Sequence, residues 1–426
     1  MSFAQLVHVP SRFSSILGVV LIIGISSAVI SASLGSVEEA AGLRMPAEWE
    51  EHEAVWISFF DGETDSATAE MAARISARTK VRAVAAADLS SASIVRADVS
   101  RLLNARGARM ENVEIIVTDA QVQVRDTGPI FVRDERGELR VVDFKWNAYG
   151  TEIDTPDEYP FDARMADERG FPLVKSTLAM EGGALETNGK GTVLQVESVT
   201  LQRNPTMTRE EIEDELARTV GAKSVIWLEE GPADDPYGLS IIDDQYVVFG
   251  IGGHVDGFAR FVDENTVLLA FPDSARAASD PVKRLTYERM QRNYDILTAA
   301  SDQDGNPLEI IKVTPPDVPY EDVVVDAYWE RSPYRELLER NPNVSMGDTL
   351  SWVPPTSYLS YFITNGFVFV PSYWRPDLPE AVRLADERIQ RLLRSYYPDR
   401  EIVPIDPRHM NQLGGGIHCW TQQQPL

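Results

Sequence analysis

Gly253-His254-Val255-Asp256, followed shortly by the β-rich run Thr266-Val267-Leu268-Leu269, sets the pattern of the whole chain. A glycine-bearing polar segment delivers residues able to do chemistry, and a strand-like run lies beside it. The pattern returns at Arg125-Asp126-Thr127-Gly128-Pro129 leading into Ile130-Phe131-Val132. It returns again at Glu181-Gly182-Gly183-Ala184-Leu185 ahead of Thr192-Val193-Leu194, and at Thr364-Asn365-Gly366 running into Phe367-Val368-Phe369-Val370-Pro371. The likeness is too loose for a strict repeat. Between these segments, short β-rich stretches alternate with amphipathic helical ones, which predicts an α/β fold of repeated ββαβ units with mixed sheets. If such units are arranged radially, their inner ends converge on one pocket and bring Asp126, His254 and Cys419 together.

Working outward, the pattern predicts strands near 54–60, 113–117, 130–133, 139–144, 192–196, 224–228, 246–249, 266–271, 310–313 and 366–371. It predicts helices over 66–86, 93–105, 209–220, 280–299 and 378–397. The third opens on Thr208 with Glu211 three residues later, a capping box. The last carries Ala381, Leu384, Ile389, Leu392 and Leu393 as a candidate apolar stripe.

Composition places this machinery in context. Arg12 precedes an uncharged apolar stretch from Ile16 to Leu34 that ends in small residues, as a secretory signal peptide does. Residues 1–34 are therefore expected to be a signal peptide or, if uncleaved, a membrane anchor; membrane contact is expected only in the second case. The remainder, 43–426, is expected to be exported, whether periplasmic, secreted or anchored facing outward. A net charge of −26 argues against a nucleic-acid partner, whose recognition depends on basic patches. A negative field instead concentrates small cations. With one cysteine in 426 residues, the chain cannot form an internal disulfide, and its single thiol, Cys419, stays free.

Taken alone, a lone cysteine is most often a small buried hydrophobe, and an isolated His-x-Asp is most often a structural hydrogen bond. Together they read differently. In an extended segment His254 and Asp256 share a face, giving a titratable imidazole beside a carboxylate. His418 would then point away from Cys419's side and reads as structural. Asp126 adds a second carboxylate on a turn, and Glu181 a third in a glycine setting. A carboxylate pair suits a guanidinium, whose donors form a planar fork. Held so, its central carbon would face the thiolate of Cys419. Attack, loss of ammonia assisted by His254, and hydrolysis of the amidino-thioester would give a ureido product. No metal or organic cofactor is required, and no glycine cluster has the spacing of a phosphate cradle.

These motifs resemble the agmatine deiminase and bacterial peptidyl-arginine deiminase family of the guanidine-modifying superfamily. The resemblance runs from Met45-Pro46-Ala47-Glu48-Trp49-Glu50-Glu51-His52-Glu53 through Arg125–Pro129, Glu181–Gly183, Gly253–Asp256 with Ala259-Arg260-Phe261, to Gly414-Gly415-Gly416-Ile417-His418-Cys419 and Thr421-Gln422-Gln423-Gln424-Pro425. It implies a deiminase catalytic domain over 43–426, built as a five-bladed pseudo-symmetric α/β propeller of ββαβ units, the pentein-like fold. It implies Cys419 as nucleophile, His254 as general acid/base, and Asp126 and Asp256 as guanidinium-binding carboxylates; a homo-oligomer is a further family expectation. The chain departs from the family at Gln123, where tryptophan is usual, and at Ala184, Gly252 and Ser360.

The expected activity is hydrolytic deimination of a small cationic guanidine, foremost agmatine to N-carbamoylputrescine and ammonia. The alternative is a peptidyl-arginine or free-arginine deiminase, which suits export. Two other classes compete: a zinc hydrolase using His254, Asp256, His409, His418 and Cys419, and an exported guanidine-binding protein without turnover.

Overall fold

The computed structural model describes residues 42–59, 64–119, 123–151 and 160–426. The expected signal peptide or anchor, residues 1–34, lies outside the described residues. Among the described residues, no helix is long and apolar enough to cross a membrane.

Strands and helices alternate as the sequence pattern predicts. β1 (His52–Phe59) is followed by helix Thr64–Ser76 and by β2 (Lys80–Ala86), which pairs parallel with β1; β3 (Val113–Thr118) extends the sheet. β4 (Ile130–Arg133) and β5 (Leu139–Lys145) are antiparallel, and helix Phe161–Arg169 crosses to β6 (Leu173–Ala179), parallel to β5. β7 (Glu186–Thr187), β8 (Thr192–Val196) and β9 (Ser224–Leu228) repeat that order around helix Arg209–Val220. After β10 (Tyr237–Ile242) and β11 (Tyr246–Ile251), the order returns in β12 (Ala259–Phe261), β13 (Thr266–Ala270), helix Pro281–Ala299 and β14 (Glu309–Val313). Beyond β15 (Glu321–Val324) and β16 (Thr349–Val353) it returns once more in β17 (Phe362–Thr364), β18 (Phe367–Pro371), helix Glu380–Tyr396 and β19 (Glu401–Ile405). Finally β20 (Thr421–Pro425) pairs antiparallel with β1, so the first sheet is completed by strands from both ends of the described chain.

Five of the six sheets thus have a middle strand that is antiparallel to one neighbour and parallel to the next across a helix. The middle strands β8, β13 and β18 are buried along their whole length. Helices and neighbouring sheets cover both faces, which explains why β13 and β18 read as near-continuous apolar runs rather than alternating ones, while β8 buries Thr192 and Gln195 among its apolar residues. Burying each such side chain contributes roughly 1.5–3 kcal/mol.

The structure corrects two expectations. The helix expected over 66–86 ends at Ser76, and Lys80–Ala86 is a strand. Its alanines suit either state, but Val81, Ala83 and Val84 are buried between neighbours, and pairing with β1 decides. The apolar stripe of helix Glu380–Tyr396 is rotated from the expected one. Val382, Asp386, Ile389 and Leu393 face inward while Leu384 is 43% exposed. A carboxylate sits in that stripe because the Tyr358 and Ser372 hydroxyls and the amides of Tyr373 and Trp374 all donate to Asp386.

The sixth sheet is additional to the repeat. It has the order β10-β11-β16-β15 and joins two segments far apart in sequence. Its own core contains Leu239, Val247, Val323, Trp329, Tyr334, Leu350 and Trp352. Ile251 and Val353, at the C-terminal ends of the parallel strands β11 and β16, line the cavity that reaches Cys419.

Candidate active site

Four short helical turns meet at the centre of the molecule: Val124–Thr127, Gly182–Ala184, Val255–Gly257 and His418–Trp420. Each belongs to one of the glycine-bearing segments or to the C-terminal run. They carry or flank Asp126, Glu181, His254, Asp256 and Cys419, so the structure brings all five expected residues together. The backbone of Gly183 lies at their focus. A Cβ there would stand 2.6 Å from Nδ1 of His254, 2.9 Å from Oδ1 of Asp126 and 3.1 Å from Oδ2 of Asp256. Only glycine leaves that space open.

His254 and Asp256 do not share a face of a strand. Asp256 sits in a 3₁₀ turn for which His254 is the cap. Ahead of them Gly253 has φ +86° and crosses Gly231 so closely that a Cβ there would lie 2.6 Å from Gly231 Cα. The turn still aims both side chains inward, by a route that period-two reasoning does not describe.

His254 is buried at 3% exposure, with Nε2 3.3 Å from Oε2 of Glu181 and Nδ1 3.6 Å from Oδ1 of Asp126. Nδ1 has no hydrogen-bond partner among the described residues. Burial alone would depress this imidazole, but Asp126, Glu181 and Asp256 outweigh it and raise its pKa to about 9. Glu181 is itself held by Arg203, whose Nε donates to Oε1 at 2.8 Å. Burial opposes its ionisation, but His254 and Arg203 win and take its pKa down to about 2.

Asp126 accepts from the Gly183 amide at 3.2 Å and from the Tyr149 hydroxyl at 2.8 Å. Burial, with Asp256 and Glu181 nearby, still raises its pKa, against the pull of His254 and Tyr149. Asp256 goes the other way: burial is outweighed by His418, His254 and Arg125, which lower its pKa. Cys419 lines the same cavity as His254 and Asp256. Burial and the charges of Asp256 and Asp126 push its thiol well above the ordinary range, and only the Gly416 amide, 3.4 Å from Sγ, pulls the other way. At neutral pH the site is therefore a thiol beside an imidazolium, among carboxylates.

The residues that departed from the family pattern are accounted for by their contacts. Gln123 Oε1 lies 2.8 Å from the Tyr149 hydroxyl. Ala184 is buried and its carbonyl accepts from Gln195 Nε2 at 3.0 Å. Gly252 has φ +108°, which a side chain rarely adopts. The Ser360 carbonyl and hydroxyl oxygens each lie 3.2 Å from the amide of His418.

Sequence reasoning missed the residues beneath the site. Glu48, Arg125, Arg260 and His418 form a buried cluster in which both ring nitrogens of His418 are taken by carboxylates, which removes it from any zinc ligand set. Tyr149 was also missed; its backbone, with φ 58° after Ala148 at φ 49°, is a conformation that sequence pattern does not announce. A further signal was available at Asp234-Asp235: both line the cavity, and burial raises their pKa values to about 7 and about 6.

The profile of the Porphyromonas-type peptidyl-arginine deiminase family matches residues 44–425. An agmatine deiminase of Pseudomonas aeruginosa is 29% identical over 406 residues, covering 92% of this chain and 97% of its own. One from Pseudomonas putida is 29% identical over 403 residues, with 92% and 98% covered. Among solved structures, the agmatine deiminase of Enterococcus faecalis superposes with a TM-score of 0.69 at 25% identity, covering 92% of this chain and 98% of that one.

Proposed function

Because the chain belongs to the Porphyromonas-type peptidyl-arginine deiminase family, we propose that it hydrolyses the guanidine of agmatine to N-carbamoylputrescine and ammonia. The observation that carries the chemistry is the convergence of Asp126, His254 and Asp256 on Gly183, with Cys419 on the same cavity. The likeness to the agmatine deiminase of Enterococcus faecalis supports reading the five repeated sheets as the blades of a pentein-type propeller, with the site where their inner turns meet.

The order of steps follows from the charges. Asp126 and Asp256 disfavour a thiolate, and a guanidinium bound between them offsets their charge. The thiol then gives its proton to solvent, and Sγ attacks the guanidine carbon. His254, already an imidazolium, donates its proton to the departing nitrogen, which leaves as ammonia. The neutral imidazole then takes a proton from the water that attacks the amidino-thioester. Collapse expels the thiolate and leaves the ureido product. Glu181 and Arg203 keep His254 oriented throughout. We also read residues 1–34 as an export segment, which places the activity outside the cytoplasm.

The test is release of ammonia and ureido product from agmatine, arginine and an arginyl peptide, with Cys419→Ser alongside. Agmatine is expected to be turned over best and the variant to be inert. Unchanged turnover in the variant would sink the mechanism, and preference for the peptide would move the reading to the protein-directed alternative.

A further inference from the structure

The residue before the nucleophile takes no part in the steps above, yet it is among the most tightly held side chains in the site. His418 is 1% exposed. Its Nδ1 lies 2.6 Å from Oδ2 of Asp256 and its Nε2 lies 2.6 Å from Oε2 of Glu48. Carboxylates accept only, so a proton must lie on each of these two lines. Glu48 cannot readily supply one: it is ionised by Arg260, 2.9 Å from Oε2, and Arg125, 3.7 Å from it. Nor can Asp256 readily, since His254 and Arg125 also act on it and favour its ionised form. The ring therefore carries both protons.

The main chain of His418 is fixed as firmly. Its amide faces Ser360, and its carbonyl accepts from Arg125 Nε at 3.4 Å and from the Thr421 hydroxyl at 3.0 Å. One residue thus ties the turn that presents Cys419 to the turn that presents Asp256.

We propose that His418 is a positioning residue for the guanidine reaction: an imidazolium strut that pins one oxygen of Asp256 against Glu48 and leaves the other facing the substrate. The proposal rests on Asp256 being a guanidinium-binding carboxylate. A merely structural histidine would satisfy the cavity with one neutral hydrogen bond, whereas a buried anion at Asp256 needs a cation behind it as well as the substrate in front. The other charged groups that set its environment are His254, Asp126, Arg125, Arg260, Asp235 and the thiol of Cys419.

Two replacements divide the strut in half. Asparagine places its amide nitrogen near the Nδ1 position and keeps a donor to Asp256; glutamine reaches the Nε2 position and keeps only the donor to Glu48. With folding checked by circular dichroism, His418→Asn, which keeps the donor to Asp256 but not the charge, is expected to raise KM for agmatine about three-fold. His418→Gln, closer to histidine in size, is expected to raise it about ten-fold or more, with a smaller change in kcat. The acid limb of kcat/KM is expected to move to higher pH in His418→Gln, because Asp256 then protonates more easily. Equal KM effects and an unmoved limb in both variants would overturn the proposal. If neither variant folds, neutron diffraction from the unaltered protein decides: deuterium on both ring nitrogens supports the strut, and a single one overturns it. An unaltered enzyme inert toward every guanidine would instead overturn the reading of the reaction, and the neutron result would still stand on its own.

Discussion

The hydroxyl of Tyr149 lies 2.8 Å from Oδ2 of Asp126 and equally 2.8 Å from Oε1 of Gln123. The phenol is pushed well above its ordinary pKa, by burial first and then by Asp126, so it remains a neutral donor. Holding it there requires left-handed backbone at Ala148 and Tyr149, φ 49° and 58°, at a cost on the order of 1–3 kcal/mol each.

Tyr149→Phe should therefore expose what that strain supports. Removing the hydroxyl takes away a bond that favours charged Asp126, whose pKa is already raised. The acid limb of kcat/KM should move upward, with kcat/KM at neutral pH falling roughly ten- to a hundred-fold, the worth of one hydrogen bond to a charged group. A pH–rate profile of the variant checks both, and an unmoved limb would remove Tyr149 from the site.

His254 fixes the alkaline side. Its folded pKa of about 9 lies above the unfolded value of ~6.5. The stability it contributes is thus fully present below pH ~6.5 and lost as pH rises through about 9. Activity should decline over the upper part of that range as the proton for the leaving nitrogen disappears. Thermal melting between pH 6.5 and 9.5 should show a fall that is blunted in His254→Gln.

Glu181→Gln separates charge from shape. Losing the carboxylate lowers the His254 pKa, so the alkaline limb should move toward neutrality. Arg203, 1% exposed at the side chain, is left buried without its partner, for which a loss of about 3–5 kcal/mol is expected. Denaturant melts measure the second effect and pH–rate profiles the first.

Gly183→Ala is a steric test of the site's geometry. The new methyl would lie 2.6 Å from His254 Nδ1 and 2.9 Å from Asp126 Oδ1, inside contact distance. Activity should fall by at least ~100-fold, as misplacement by about 1 Å can cause, while the melting temperature changes far less than activity does. Near-normal turnover would mean that the three side chains do not act at this point.

The reacting residues were legible in the sequence because each lies within three residues of a glycine, some of which the close approach of backbones demands, as at Gly183 and Gly253. The alternation of strand and helix was legible too, since β13 and β18 are largely apolar runs and β8 carries Val193, Leu194 and Val196. What escaped was whatever depends on partners distant in the chain. Lys80–Ala86 is helix-compatible until β1 lies next to it. Thr421–Pro425 has no apolar residue before its proline, yet it is fully buried as a strand, with Gln422 Nε2 donating to the Pro129 carbonyl at 3.1 Å and Gln424 Nε2 to Glu53 Oε2 at 2.9 Å. His418 reads as structural in the sequence, but what it ties together shows only when Glu48, 370 positions away, is found against it.

The pairing of β20 with β1 has a consequence for how the molecule fails. The turn bearing Cys419 runs without interruption into the strand that fastens one end of the described chain to the other. Anything that strips β20 from β1 would therefore loosen the clasp and unseat the nucleophile in the same event. No long-lived species should accumulate that is intact but inert, or frayed but working. Damage at this end is self-reporting, and quality control that senses unfolding would also be clearing inactive enzyme.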